Sequence, residues 1–408
     1  MTATVADDIL LLIFDTLSGP TCLQFPDAKY DHERACAPFV FASVCRQWRL
    51  LARSTCTLWT YLGFPGDSDQ HGIHLTRLQA LIPLVKCSPI DVLVGWDSPN
   101  LHQDTKQLLD ELMRLIPQWR SAQFDMPRRV AGPFVRLTHV APVLQQLSIT
   151  AEGCALCLPK AHQLMRVHLD CEDVILSDPL SHWPNVSSWC SYMGGDKSAR
   201  FCTAYAAQLV ELFLVEHDWL SETLYLPCLQ TLLLNSVADL DYIRAPELRN
   251  LIINAGDLGE LADSASHFAR IQHLTLYGSV GANTIRRLGC FAGVSKVSFM
   301  VPIPIRKVYS RGGITCQVDA GFFIQLAGTQ PPVWPCLEHI SFTSRLEYLN
   351  FNELLTFIES RNLRVHGLEG VESSQVSIIK DVTIDPQSIE IPAWFPPRLE
   401  VLLPADRC

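Results

Sequence analysis

Several residues have the chemistry for metal binding or catalysis, and their spacing decides whether they can act together. Cys154-x-x-Cys157, with His162 and Cys171 downstream, has the spacing of half a zinc site. A tetrahedral site needs a second close pair of Cys or His ligands, and none follows. Cys also recurs as a small apolar residue, as in Pro-Cys-Leu at 227–229 and at 335–337. The cysteines are therefore read as packing residues, with no metal and no cofactor. His217 and Asp218 are adjacent at the end of an apolar run. Neighbouring side chains on a strand face opposite ways, so the two make no proton relay. His139, His168 and His273 stand singly and read as surface or partner-facing groups. There is no phosphate-binding loop, no G-x-G-x-x-G and no G-x-S-x-G. A hydrolase or redox reading has no residues to carry it, and the chain is not expected to be an enzyme.

Binding chemistry is better represented. Residues 44–62 read VCRQWRLLARSTCTLWTYL, rich in Trp and Leu with basic residues between. Phe41, Val44, Cys45, Trp48, Leu51 and Ala52 recur at three- and four-residue steps and share one face of a predicted helix. Arg46, Gln47, Arg49 and Arg53 fall on its other faces. Leu58 and Trp59 open a second short apolar element. Upstream, residues 1–17 read as an amphipathic helix with Ile9, Leu10, Ile13, Phe14 and Leu17 in one stripe. Asp7 and Asp8 suit its first turn, and Thr4 with Asp7 resembles a capping box. Gly19, Pro20, Pro26 and Pro38 make 18–38 a loop or irregular insert.

The rest of the chain must position these helices. With 408 residues, 48% apolar and 18% charged, it can bury a large core. A net charge of −10 argues against a nucleic-acid partner. The start, MTATVADD, has no basic region, and the longest apolar run is 9–14. No signal peptide and no membrane span are expected, which points to the cytoplasm or nucleus and to 15 reduced thiols. A loop at 63–74 contains Gly63, Pro65, Gly66 and Gly72. A helix is predicted over 75–85, a strand over 90–94, a helix from Asn100 to Ile116, and a strand over 119–125.

Beyond that, one unit repeats with the pattern L-x-x-L-x-L. It appears as LQQLSIT (144–150), LMRVHLD (164–170), VSSWCSY (186–192), LVELFLV (209–215), LQTLLLN (229–235), LRNLIIN (248–254), IQHLTLY (271–277) and VSKVSFM (294–300). LEHISFT (337–343), NLRVHGL (362–368) and RLEVLL (398–403) continue it. From 144 to 294 the starts lie 20, 22, 23, 20, 19, 23 and 23 residues apart, within the leucine-rich-repeat range. A proline stands two residues before the unit at Pro142, Pro184, Pro227, Pro246, Pro335 and Pro397, where a strand start needs no ladder donor. Between 301 and 336, room remains for an irregular repeat and an excursion made basic by Arg306, Lys307 and Arg311.

The segments VADDILLLIFDTL (5–17), VCRQWRLLA (44–52) and LWTYL (58–62) resemble an F-box. Val5-Ala6 stand where that family usually has Leu-Pro, and Asp8 stands for Glu. The likeness covers about 60 residues and is nearest to fungal F-box proteins with a divergent leucine-rich-repeat domain. It implies an α/β chain: a helical F-box at 1–62 with an insert at 18–38, a linker and helix at 63–89, and repeats with a parallel sheet over 90–408. It also implies docking on the Skp adaptor, and through it on the cullin, of an SCF-type ubiquitin ligase. Carried over position by position, Ile9, Leu10, Ile13, Phe14, Leu17, Val44, Trp48 and Trp59 would contact the adaptor. The competing reading is a leucine-rich-repeat scaffold outside any ubiquitin ligase.

In each repeat the later apolar pair points into the core and alternate residues point outward. The central outward positions are Ser148, His168, Cys190, Phe213, Leu233, Ile252, Thr275, Ser298 and Ser341. Phe213, Leu233 and Ile252 should then form an exposed apolar stripe, with Asn235, Asn254 and Tyr277 along one side. Such a patch suits a protein substrate, whose identity the residues leave open.

Overall fold

The computed structural model of the chain describes residues 6–17, 30–65, 71–95, 103–126, 139–175, 179–192, 195–215, 222–260, 268, 270–302, 315–343, 346–366, 376–386 and 389–404. It divides into two compact units, Met1–Met193 and Gly194–Cys408.

The first unit begins with helices α1 (Asp7–Leu17), α2 (His32–Val44) and α3 (Arg46–Ser54), then a 3-10 turn, Cys56–Trp59. Strand β1 (Tyr61–Phe64), helix α4 (His71–Val85), β2 (Ile90–Gly95), α5 (Gln103–Arg114) and β3 (Trp119–Asp125) follow. β4 (Gln146–Cys157), β5 (Arg166–Ile175), the short α6 (Pro179–His182) and β6 (Ser188–Ser191) complete it. The six strands pair in sequence order, all parallel. A parallel neighbour requires a crossover, and α4 and α5 supply it between strands that start 29 residues apart, at Tyr61, Ile90 and Trp119. The sheet thus begins at Tyr61, ahead of the repeat domain expected from residue 90. In α5, Asp104 in the first turn and Arg114 in the last suit the helix dipole, while Leu108, Leu109 and Leu112 are fully buried. The cap expected at Asn100 lies outside the described residues.

Two expectations about the N-terminal helices need correction. The stripe from Phe41 to Ala52 is not one helix. Cys45 is extended (φ −156, ψ 176) and separates α2 from α3. Its thiol accepts the Trp48 N–H at 3.5 Å and caps α3, and Arg49 Nε donates to the Ala42 carbonyl at 2.9 Å near the end of α2. Residues 32–38 are helix rather than insert. Asp31 caps α2 by accepting the Arg34 N–H, and Ala35, Pro38 and Phe41 are buried. That burial offsets the hydrogen bond Pro38 removes. Residues 18–29 lie outside the description, as does the Leu17 side chain.

Helix α2 is fixed to one face of the sheet by a buried charge. Tyr61, Asp91 and Ser121 are register partners on β1, β2 and β3. The Asp91 side chain is fully buried. Its Oδ2 accepts from Arg34 Nη2 on α2 at 3.0 Å and from Arg120 Nη2 at 2.6 Å. Its Oδ1 accepts from Arg120 Nε at 3.0 Å and Ser121 Oγ at 2.8 Å. The Arg34 guanidinium also lies 4.4 Å from the Tyr61 ring centre, and the Tyr61 hydroxyl accepts the Asp31 N–H at 2.9 Å. Arg77 of α4 adds a bond to the Ala35 carbonyl at 3.1 Å. The approach is close enough that a methyl at Gly63 would stand 2.9 Å from both the Tyr30 and the Tyr61 ring.

In the second unit, α7 (Gly195–Ala204) precedes β7 (Glu211–Leu214), β8 (Leu224–Tyr225), β9 (Thr231–Leu234), β10 (Ile243–Arg244), β11 (Asn250–Asn254) and β12 (His273–Val280). Then come α8 (Ala282–Leu288), β13 (Lys296–Phe299), β14 (Cys316–Val318), α9 (Phe322–Gly328), β15 (His339–Phe342), β16 (Leu346–Tyr348), α10 (Phe351–His366), β17 (Asp381–Ile384) and α11 (Phe395–Leu402). Strands β7, β9, β11, β12, β13, β15 and β17 pair in that order, all parallel. β8 pairs with β10, and β14 pairs with the far end of β12 and with β16. The core pairs Leu212/Leu214, Leu232/Leu234, Leu251/Ile253, Leu274/Leu276, Val297/Phe299 and Ile340/Phe342 are buried, as the repeat pattern requires. The gap after residue 301 holds β14 and α9; Arg306, Lys307 and Arg311 lie outside the description.

The last two expected repeats are wrong. Residues 362–366 end α10 and 398–402 belong to α11. L-x-x-L spacing fits a helix face as well as a repeat. In α10, Arg361 and Asn362 face inward instead of Leu363, which is exposed. Arg361 Nη2 donates to the Trp334 and Pro335 carbonyls at 2.6 and 2.8 Å, and Asn362 Oδ1 accepts the Ile379 N–H at 2.9 Å. The true next strand is β17, whose sequence DVTI lacks the leucine signature.

Replacing Asp91 with Ala leaves two guanidiniums facing a buried void. The expected loss is about 3–5 kcal/mol of unfolding free energy, against roughly 0–1 for breaking the exposed Arg114–Glu111 pair. Urea titration of Asp91→Ala beside Arg114→Gln checks this; equal, small losses would show that the clamp is not structural.

Candidate functional site

Burial sorts the expected adaptor contacts into two groups. Leu10, Phe14 and Trp59 are buried within the chain and cannot contact a partner directly. Phe14 stacks on Phe41 at 4.4 Å and meets Trp48 edge-on at 5.1 Å. Trp59 Nε1 donates to the Ala52 carbonyl at 2.8 Å, and its ring meets Phe39 at 5.2 Å. These residues close the small helical core, where an aromatic packs best with its polar atom satisfied. Trp48 is half-buried. Ile9 (53% exposed), Ile13 and Val44 (56%) remain at the surface.

The structure adds surface residues that the single-stripe reading missed. Leu12 is 67% exposed, and Phe39, Val40 and Leu50 are exposed too. The signal was present: 9–14 is unbroken apolar sequence, so α1 carries hydrophobes on every side and only one side can face the core. Gln47 Nε2 donates to Asp7 Oδ1 at 2.8 Å, tying α3 to α1. Beside that bond, Asp7, Arg46, Gln47, Leu50, Leu51 and Ser54 line an open cleft of about 730 Å³.

On the repeat strands, the expected register holds. Phe213 pairs with Leu233, Leu233 with Ile252, and Ile252 with Thr275. The series continues to Ser298 and Ser341. The exposed apolar stripe does not hold. Leu233 is fully buried, while Phe213 and Ile252 are half-buried. A side chain with bulky register partners about 4.8 Å away on both sides keeps little contact with solvent. Tyr277 is also buried, its hydroxyl donating to Asn235 Oδ1 at 3.0 Å. Asn254 Oδ1 accepts the Gly256 N–H at 3.1 Å. Of these three, Tyr277 is withdrawn from the surface, while Asn235 and Asn254 are half-buried.

The same face is more polar toward β15. His273 Nε2 is 2.8 Å from Ser298 Oγ, which is 2.7 Å from Ser341 Oγ. Burial, and then the nearby Lys296 charge, lower the His273 pKa from 6.5 to about 4, so its ring is neutral at pH 7. Ser298 is itself buried while His273 and Ser341 are half-buried, and the row can both accept and donate hydrogen bonds. In the first unit His168 is buried against Ser148, with Nδ1 2.7 Å from Oγ. The surface reading fails for His168, whereas His139 is exposed. Cys171 is buried and Cys157 half-buried; the Cys154 side chain and the His217-Asp218 pair lie outside the described residues. No group of three or more metal-ligating side chains occurs among the described residues, and none of their helices is long and apolar enough to cross a membrane.

The geometry defines a mixed α/β protein built on parallel strand repeats, with an apolar helical surface at one end of the chain. No family model matches the sequence and no curated protein matches it. Among solved structures, one described as a TLR13–ssRNA13 complex aligns with 73% of this chain and 44% of its own, at 11% identity and a TM-score of 0.33. The chain thus spans less than half the length of that protein, and a likeness this distant carries no argument about family or ligand.

Because the folded His273 binds its proton only near pH 4 while the unfolded ring does so near 6.5, the unfolded chain holds more protons in that window. Stability is therefore expected to fall as pH drops from 6.5 to 4. His273→Gln, which keeps a hydrogen-bonding group without the titration, should flatten that part of a stability–pH curve measured by denaturant titration.

Proposed function

We propose that this chain is a non-catalytic recognition subunit: its N-terminal helices dock on the Skp adaptor of an SCF-type, cullin-based ubiquitin ligase, and its repeats hold a protein target. The supporting observation is the set of apolar side chains left at the surface of α1–α3. Ile9, Leu12, Ile13, Val40, Val44 and Leu50 are all exposed while the helical core beside them is closed. Surface hydrophobes occur singly on any protein, but several on three packed helices mark an interaction surface. The F-box resemblance of the same segments names the partner. Its buried positions (Leu10, Phe14, Trp59) act by shaping the hairpin rather than by touching the adaptor. For the target, the half-buried Phe213 and Ile252 and the hydroxyl row from His273 to Ser341 form the candidate face. Function then comes from proximity, with no bond made or broken by this chain.

Co-purification with the adaptor, quantified by calorimetric titration, tests the reading. Ile13→Asp with Val44→Asp is expected to weaken binding at least about 30-fold, taking about 1–2 kcal/mol for each interface position, with the unfolding midpoint little changed. Undiminished binding by this double variant would overturn the docking surface. Adaptor capture with no cullin alongside would favour a scaffold outside any ligase.

A further inference from the structure

Among the described residues, β17 ends the strand ladder of the second unit. The Asp381 N–H donates to the Glu338 carbonyl at 3.2 Å and the Asp385 N–H to the Phe342 carbonyl at 2.9 Å. Alternate residues of a strand turn their amides to opposite sides. The N–H and C=O groups of Val382 and Ile384 therefore point away from β15, and no described backbone group bonds to them. Their side chains are register partners of Ile340 and Phe342. Those two are buried, whereas Val382 and Ile384 are only half-buried. The core row is thus open on the side where a further strand would lie. Beside the residues that enter β17 is a groove of about 270 Å³, lined by Glu359, Leu363, Ile378, Val401, Leu403 and Pro404. Leu363 is 61% and Val401 83% exposed. Asn362 holds the groove walls: its Nδ2 donates to the Leu402 carbonyl at 2.8 Å, and its Oδ1 accepts the Ile379 N–H at 2.9 Å. Glu359 is exposed and has no ionic partner among the described residues.

We propose that the β17 edge takes an extended peptide segment of another protein as one further parallel strand. The segment has the apolar spacing of the chain's own repeats, Φ-x-x-Φ-x-Φ, with a Lys or Arg just before the first apolar residue. That first residue enters the groove, and its basic neighbour meets Glu359. The later apolar pair covers Val382 and Ile384. Backbone bonds to those two residues supply affinity, and the groove supplies specificity. Parallel polarity brings the upstream apolar residue to the groove, as Leu337 precedes β15. An antiparallel second copy of β17 would instead bring its Asp385 toward this apolar end or opposite Asp381, both unfavourable. Polarity and charge therefore favour a partner's segment over a second copy. The edge is separate from the exposed side chains of α1–α3 and from the strand face carrying Phe213 and Ile252, and does not rest on the adaptor reading.

The probe is the fluorescein-labelled peptide Arg-Leu-Thr-Ser-Val-Thr-Val-Thr-Lys, titrated into the full chain and read by anisotropy. Saturable binding is expected. N-methylation of the Thr between the two Val should weaken it at least about tenfold, because that amide faces β17 as the Met300 N–H faces the Leu276 carbonyl of β12. N-methylation of the Val that follows, whose amide faces away, should leave binding unchanged. On the protein, Val382→Pro removes a donor that makes no bond within the fold, and Leu363→Asp with Val401→Asp charges the groove. Each should weaken binding at least about tenfold with the thermal midpoint little changed. No saturable binding up to about 1 mM peptide, or binding indifferent to the N-methylated Thr, would overturn the site. A dimer of the chain that Val382→Pro dissociates would overturn the proposed occupant in favour of a second copy.

Discussion

A single buried carboxylate sets how the N-terminal helices sit. Asp91 stands on the second strand of a parallel sheet with no solvent contact, and two guanidiniums converge on it, one from the sheet and one from α2. A lone buried carboxylate would be costly, and an arginine pair is worthwhile only when its remaining hydrogen bonds are met. Here each carboxylate oxygen has two donors. The arrangement leaves α2 one orientation, with Ala35 and Phe41 facing inward and Val40 and Val44 outward. The exposure of those outward residues is thus a consequence of the clamp as much as of their own chemistry.

That constraint explains why the helical segment resists reading as one amphipathic stripe. Three-residue and four-residue periodicity identifies a helix but not which of two apolar faces is covered. In α1 the run 9–14 has no polar position at all, so Phe14 in the core and Leu12 in solvent look alike in sequence. The packing of Phe14 on Phe41 and Trp48 separates them. Cys45 illustrates a different failure. Phe41 and Trp48, on either side of that extended residue, both pack on Phe14, so the three- and four-residue spacing carries no mark of the break.

The repeats were the most legible part. Their leucine period located β4 to β7, β9, β11, β12, β13 and β15, and period-2 alternation gave both the register and the buried pairs. Two things stayed hidden. The outward-facing positions are crowded by their own register partners, which buries Leu233 although it points away from the core. At the C-terminal end, helices imitate the leucine spacing, while β17 pairs in register with β15 without it. Asp91 was invisible as well, because an acidic residue within an apolar strand looks like an outward polar position until its arginines are placed. The N-terminal segment is accordingly half legible: its helices follow from the apolar spacing, but which of its residues stay at the surface depends on packing that no local pattern encodes.

The central proposal is that the outer face of α1 and α2 docks on a Skp adaptor while the inner face serves the fold. Hydrogen–deuterium exchange of the full chain, alone and saturated with purified Skp adaptor, addresses it most directly. Added protection should concentrate in Asp7–Leu17 and His32–Val44, with the amides of β1 to β3 already protected in both states. Protection appearing in the repeat strands instead, or none anywhere at saturating adaptor, would contradict the account.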